Sequence, residues 1–165
     1  MKTFLYLRGQ PGVGKITVAR LLERELGWKV FWFHELKNAV YDIVKEHRIP
    51  RLMDELTAPI IKYLLDKQQD IIYIRPSPDQ ETIDNIRRLV EEKEGYKFVL
   101  VQLTAAYDTL RERVLKRDDP YRIHTIEDLD SYLSGRANAQ IDGELIVSTD
   151  GLSPLEVAKQ VVSKL

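Results

Sequence analysis

The sequence predicts a three-layer α/β/α fold, a parallel sheet covered by helices on both faces, and three observations carry that expectation. Apolar runs of strand length alternate with amphipathic helical patterns along the 165 residues, the order a parallel sheet requires because each crossover must return over a sheet face. A glycine-rich loop, Gly9-Gln10-Pro11-Gly12-Val13-Gly14-Lys15-Ile16-Thr17, joins the first strand pattern to the first helical one. No internal repeat, low-complexity tract or long linker interrupts the alternation, so residues 1–165 read as one domain.

Five runs read as strands: Thr3 to Leu7, Lys29 to Phe33, Asp70 to Ile74, Tyr96 to Leu103 and Glu144 to Ser148. The helix after the glycine-rich loop repeats Val18, Leu21, Leu22 and Leu26 at helical spacing and stops at Gly27, a residue suited to a left-handed end. Leu52, Leu56, Ile60, Ile61, Leu64 and Leu65 mark a second helical pattern, which Pro59 should kink or divide. Further helices are expected over Thr82 to Glu92, with Asp79 as its cap, over Ala106 to Lys116, and through Ile126, Leu129 and Leu133. The last, Pro154 to Leu165, opens on Ser153 with Glu156 three places on, a capping-box start with proline in the first turn.

The loop carries the chemistry. Gly9, Gly12 and Gly14 leave room for the backbone to turn its N–H groups inward, and Lys15 brings a point charge to an anion of polyphosphate size. The positive end of the following helix adds to the attraction. Pro11 and Val13 complete the loop. After the lysine such a loop ordinarily supplies a hydroxyl for magnesium. Here Ile16 stands in that place and Thr17 follows, so Thr17 is the one metal contact the loop offers and water would complete the shell.

Composition excludes several alternatives. With 44% hydrophobic and 31% charged residues the chain can bury a proper core. It has no cysteine, hence neither a disulfide framework nor thiolate chemistry, and a cytoplasmic location is the default expectation. No stretch approaches membrane-spanning length, and a net charge of −1 gives no overall pull on nucleic acid. The oligomeric state is not written in the sequence.

Gly-x-Pro-Gly-x-Gly-Lys-x-Thr resembles the phosphate loop of nucleoside monophosphate kinases, with Gly9, Pro11, Gly12, Gly14, Lys15 and Thr17 all matching. In element order the whole chain resembles the shikimate-kinase-like phosphate-loop kinases, although the acid pair on the second strand and the glycine-rich acceptor loop after the third are absent. The resemblance implies a sheet of order 2-3-1-4-5, ATP and Mg2+ as cofactors, and transfer of the γ-phosphoryl to a hydroxyl or phosphate of a small-molecule acceptor. It further implies that Leu110 to Arg122 leads into a short lid at about Arg117 to Thr125. Arg113 and Arg117, four apart and so on one helix face, would reach the phosphates, with Arg122 and Arg136 beyond them. The loop Thr149-Asp150-Gly151 would lie near the adenine.

Ligands of open α/β sheets bind beyond the carboxyl ends of the strands. After the second strand Glu35 is the available acid: by the resemblance it would activate the acceptor hydroxyl, and otherwise it is an acid favoured at a helix start. His34 beside it either holds the acceptor or is a structural residue against Phe33 and Trp32. The third strand ends in Arg75, where phosphate-loop enzymes usually carry an aspartate. An arginine there suits an anionic acceptor, and Asp70 falls at the wrong end of that strand. The expected catalytic set is therefore Lys15, Glu35 and Arg117. Nucleotide contacts are expected from Gly9, Pro11, Gly12, Val13, Gly14, Lys15, Ile16, Thr17, Arg113, Arg117 and Asp150, and acceptor contacts from His34, Glu35 and Arg75. A second reading is a nucleotide-binding switch or degenerate relative acting through a partner. Ile16 and the missing strand-end aspartate favour it, while the lid-like arginines and the lack of an Asn-Lys-x-Asp base-recognition motif oppose it.

Overall fold

The computed structural model describes residues 1–44, 50–75, 79–118, 122–135 and 141–165, with only the backbone described at 44, 50–54 and 135. In chain order the elements are β1 (Lys2–Gly9), α1 (Lys15–Leu26), β2 (Lys29–Trp32), α2 (Phe33–Val44), α3 (Pro50–Leu65), β3 (Ile71–Ile74), α4 (Gln80–Glu91), β4 (Tyr96–Thr104), α5 (Tyr107–Leu115), α6 (Ile126–Gly135), β5 (Leu145–Ser148) and α7 (Pro154–Val162). The strands form one parallel sheet of order β2-β3-β1-β4-β5, as the resemblance implied.

The central strand β1 serves both faces of the sheet because strand side chains alternate. Leu5 and Leu7 enter a core with Val18 and Leu22 of α1, Leu110 and Val114 of α5, and Val157 and Val161 of α7. Phe4 and Tyr6 enter the opposite core with Ile61 of α3, Ile83 and Ile86 of α4, and Tyr73 of β3. All four β1 side chains are fully buried, which explains why that strand reads as a continuous apolar run and not as an alternation.

The expected punctuation is present. Gly27 ends α1 at φ 71° with its N–H on the carbonyl of Glu23. Asp79 caps α4 by accepting from the Thr82 N–H at 2.8 Å, and Ser153 with Glu156 closes both halves of the capping box of α7. Asp70 lies at the amino end of the sheet, where it accepts from the Thr3 N–H at 2.7 Å and pairs with Lys2. Several elements depart from the sequence reading, among them β3, which Asp70 precedes. Phe33 opens α2 instead of closing β2, Glu144 precedes β5, and Pro59 sits inside an undivided α3. Pro59 and the residue one turn before it, Glu55, are both exposed, so water can satisfy the carbonyl that proline leaves without a donor.

Glu144 falls outside the strand because its carboxylate turns inward. Its Oε2 lies 2.9 Å from Arg8 Nε, with the two side chains 0% and 3% exposed. Its Oε1 accepts from the Ile141 N–H at 3.0 Å. Between them on β4, the Gln102 amide, with its orientation assigned to satisfy both neighbours, donates to Glu144 Oε1 at 3.0 Å and accepts from Arg8 Nη2 at 3.3 Å. This network ties the approach to β5 across β4 to the residue before the glycine-rich loop. A buried pair broken on one side leaves an uncompensated charge. Glu144→Gln should therefore lower the unfolding free energy in urea by about 3 kcal/mol, and a double Arg8→Met/Glu144→Leu exchange should recover most of that loss.

Candidate active site

At the carboxyl ends of β1, β2 and β3 the chain encloses a cavity of about 650 Å³, within the range of small-molecule sites. Its floor is the glycine-rich loop. Gly9 has φ 142°, and a Cβ there would run into the carbonyl oxygen of Leu103 on β4. Gly12 has φ 90° and lies under the α5 backbone at Leu110. Only glycine permits this conformation at this closeness, and the loop can then direct its N–H groups and the amino end of α1 at the cavity. Gly9 itself stays buried behind the lining, whereas Pro11, Gly12, Val13, Gly14, Lys15, Ile16 and Thr17 all face the cavity.

The Lys15 ammonium donates to the carbonyls of Gly9 at 2.6 Å and Gln10 at 2.9 Å. Burial, reinforced by the charges of Arg117 and Arg122, pulls its pKa down to about 7. Ile16 packs on the α1 core, which accounts for an apolar residue in the usual hydroxyl position. Thr17 presents the loop's hydroxyl at the cavity wall.

Four more cations converge on the same space. Arg113 of α5 is anchored on Thr149, with Nη1 2.9 Å from Oγ1 and Nη2 3.1 Å from the carbonyl oxygen. Arg117, one turn on, donates to the Ile123 carbonyl at 3.1 Å. Arg122 lies over the Trp32 ring, 4.8 Å from its centroid. Lys37 of α2 also lines the cavity. No carboxylate lines it among the described residues, and they include no cluster of three metal-ligating side chains.

Three residues expected at the site, Glu35, Asp150 and Arg75, lie outside the cavity lining. Helix α2 starts at Phe33, so helical phase turns His34, Lys37 and Asn38, spaced i, i+3 and i+4, into the cavity. Glu35 is carried outward, where it is exposed and pairs with Arg20 at 3.4 Å. It is not part of the cavity lining. Asp150 likewise turns away: both carboxylate oxygens accept from the Ala106 N–H, at 3.1 and 2.9 Å. Hydrogen bonds from Thr109 and that N–H hold its pKa below the usual carboxylate value. It fastens the start of α5, while its neighbour Thr149 lines the cavity. Arg75 sits over the Phe33 ring at 4.6 Å, outside the lining. The expected lid, about 117–125, includes residues 119–121, and these, with Arg136, lie outside the described residues.

His34 does face the cavity, stacked on Trp32 with centroids 5.9 Å apart. Burial first, then the charges of Lys37, Lys15, Arg122 and Arg75, lower its pKa to about 4, so the imidazole is neutral near pH 7. Lys37, Asn38 and Trp32 were missed from the sequence. The spacing from His34 was the available signal, but it becomes readable only once Phe33 is known to be helical. Ile123, Leu152 and Pro154 add apolar lining to the cavity that Arg113 and Thr149 also line.

Comparison with known proteins agrees with this architecture. A family model described as AAA domain matches residues 6–132. A putative adenylate kinase of Methanosarcina mazei is 30% identical over 115 residues, 67% of this chain and 59% of that protein's length. Among solved structures, a sugar kinase from Janibacter sp. superposes with TM-score 0.72 at 14% identity, covering 99% of this chain and 94% of its own. The tunicamycin resistance protein of Deinococcus radiodurans does so with TM-score 0.69 at 20% identity, covering 99% and 95%. Shikimate kinase from Aquifex aeolicus gives TM-score 0.62 at 17% identity, covering 98% and 94%. The chain therefore belongs to the AAA domain family and carries the three-layer phosphate-loop fold of small-molecule kinases.

Proposed function

We propose that the protein is an ATP-dependent phosphotransferase whose acceptor is itself an anion. The observation that carries this reading is the convergence of Lys15, Lys37, Arg113, Arg117 and Arg122 on one cavity floored by a phosphate loop. Burial first, and then the charges of Arg117 and Arg122, lower the pKa of Lys15 to about 7, a cost that a bound polyanion would relieve. A triphosphate shielded by magnesium would balance only part of that charge. A second anionic substrate balances the remainder, and the named relative of Methanosarcina mazei, a putative adenylate kinase, points to the same kind of chemistry.

In this reading the adenine lies against Ile123, Leu152 and Pro154, and the triphosphate lies along the loop amides towards Lys15. Magnesium arrives with the triphosphate; Thr17 supplies the one lining hydroxyl of the loop, and water and phosphate oxygens complete the shell. The acceptor lies against the His34, Lys37 and Asn38 face of α2. As an acceptor oxygen bonds to the γ-phosphorus, the bond to the bridging β–γ oxygen breaks, and Arg117 and Lys15 balance the negative charge spread over the group in flight. A phosphate oxygen already carries charge and gives up no proton. The reaction then needs no carboxylate base, in keeping with the outward position of Glu35.

Three measurements check this reading. Because ATP binds the ammonium form of Lys15, affinity measured between pH 7.5 and 9.5 should weaken by about tenfold per pH unit until the pKa of the bound form is reached. Lys15→Arg, charged throughout, should show a flat profile over the same range. In a transfer screen with MgATP, nucleoside monophosphates and sugar phosphates should accept phosphate, whereas neutral sugars should not. Lys37→Gln should then raise the acceptor KM about tenfold at unchanged ATP affinity, and Glu35→Gln should leave turnover within about threefold of the parent. Transfer confined to neutral hydroxyl acceptors would refute the anionic-acceptor reading.

A further inference from the structure

Helix α5 carries Arg113 to the cavity, yet it has no cap of its own. Its N-cap residue is Ala106, whose side chain has no acceptor to offer the first N–H groups of the helix. The acceptor comes from the loop after β5. Both carboxylate oxygens of Asp150 accept from the Ala106 N–H, at 3.1 and 2.9 Å, and the Thr109 side chain bonds to the same carboxylate. The Ser148 hydroxyl steadies Asp150 by accepting from its N–H at 3.2 Å. The residue between them, Thr149, is buried, and its own N–H donates to the Thr104 carbonyl at the end of β4, at 2.8 Å. Thr149 then receives both Nη groups of Arg113, one on its hydroxyl and one on its carbonyl. These contacts close a ring. It runs from Asp150 to the start of α5, along about two turns of that helix to Arg113, and from Arg113 back to Thr149.

A serine or aspartate at position 106 would cap α5 equally well from within the helix. What a local cap cannot do is bind the helix to the loop after β5. We propose that Asp150 is a positioning residue for the nucleotide: by capping α5 it fixes Thr149 against that helix, and Thr149 holds the Arg113 guanidinium at the cavity wall. Asp150 is not part of the cavity lining, whereas Thr149 and Arg113 both are, so Asp150 acts through them. A cation already held in place need not be ordered when the ligand binds. The effect of Asp150 is therefore expected on nucleotide affinity.

This inference rests on the kinase reading for its binding arm and is independent of it for its spectroscopic arm. In the nucleotide-free protein the two Nη groups of Arg113, identified by the loss of their NMR signals in Arg113→Lys, should give separate, slowly exchanging signals. Those signals should coalesce in Asp150→Ala and stay separate in Asp150→Asn, whose amide oxygen still accepts from the Ala106 N–H. Coalesced signals in the parent, or separate signals in Asp150→Ala, would overturn the inference. In the binding arm the probe is MgATP, followed by calorimetry. Asp150→Ala should weaken its affinity about fivefold, and the same substitution should change it by less than about twofold in an Arg113→Ala background. Equal losses in the two backgrounds would count against the positioning role. Ala106→Ser added to Asp150→Ala supplies a local cap, which should recover the lost thermal stability but not the ATP affinity. Recovery of both would reduce Asp150 to a helix cap and overturn the proposal. If Asp150→Ala alone does not fold, the Ala106→Ser/Asp150→Ala protein takes its place in every comparison. A parent protein that does not bind ATP would refute the kinase reading, and the Arg113 signals would then decide this inference by themselves.

Discussion

The repulsion among five cations held in one cavity is the constraint on which the site depends. Four of the five rest on partners that restrain them. Lys15 donates to two loop carbonyls, Arg113 to a hydroxyl and a carbonyl, Arg117 to a carbonyl, and Arg122 lies on an indole. These partners are neutral, and no carboxylate lines the cavity among the described residues, so the lining is positive in charge. Burial lowers the pKa of Lys15 and of His34, and the neighbouring cations add to both shifts. Such a site is completed by polyanions, and it gains most where negative charge is spread over a transferred phosphoryl group.

The fold supplies the rigidity that this arrangement needs. β1 is buried on both faces and hydrogen-bonded on both edges, and it delivers the loop directly from the middle of the sheet. Gly9 and Gly12 press the loop against β4 and α5, the helix that carries Arg113. Immediately before the loop, the Arg8, Gln102 and Glu144 network ties β1 through β4 to the approach of β5, and the loop after β5 brings Thr149 to Arg113. Phosphate loop, arginine helix and closing loop are thus referenced to one another through buried contacts.

Much of this was legible in the sequence, and what was not has a physical cause. The strands showed because parallel strands buried on both faces read as unbroken apolar runs, and the loop showed because its glycines are required by backbone geometry. The second strand end was misread at one residue. Phe33 looks like a strand residue by type, yet it begins α2, and that single boundary rotates the helix so that His34, Lys37 and Asn38 face inward and Glu35 outward. Asp150 misled for a different reason. A carboxylate after a terminal strand suits a ligand contact and a helix cap equally, and only the position of Ala106 decides between them. Trp32 and Arg122 lie ninety residues apart in sequence, so no local pattern could announce their contact.

Lys15 is driven towards neutrality by burial and by its cationic neighbours, and a bound polyphosphate would recharge it. Calorimetric titration with MgATP at pH 8, repeated in buffers of different ionisation enthalpy, measures the protons taken up on binding. Uptake approaching one proton per site is the expected result, since a lysine with a pKa of about 7 is mostly neutral at that pH and the phosphates favour its charged form. ATP binding with no proton uptake, or with proton release, would contradict the charge-frustrated cavity on which the proposed reaction is built.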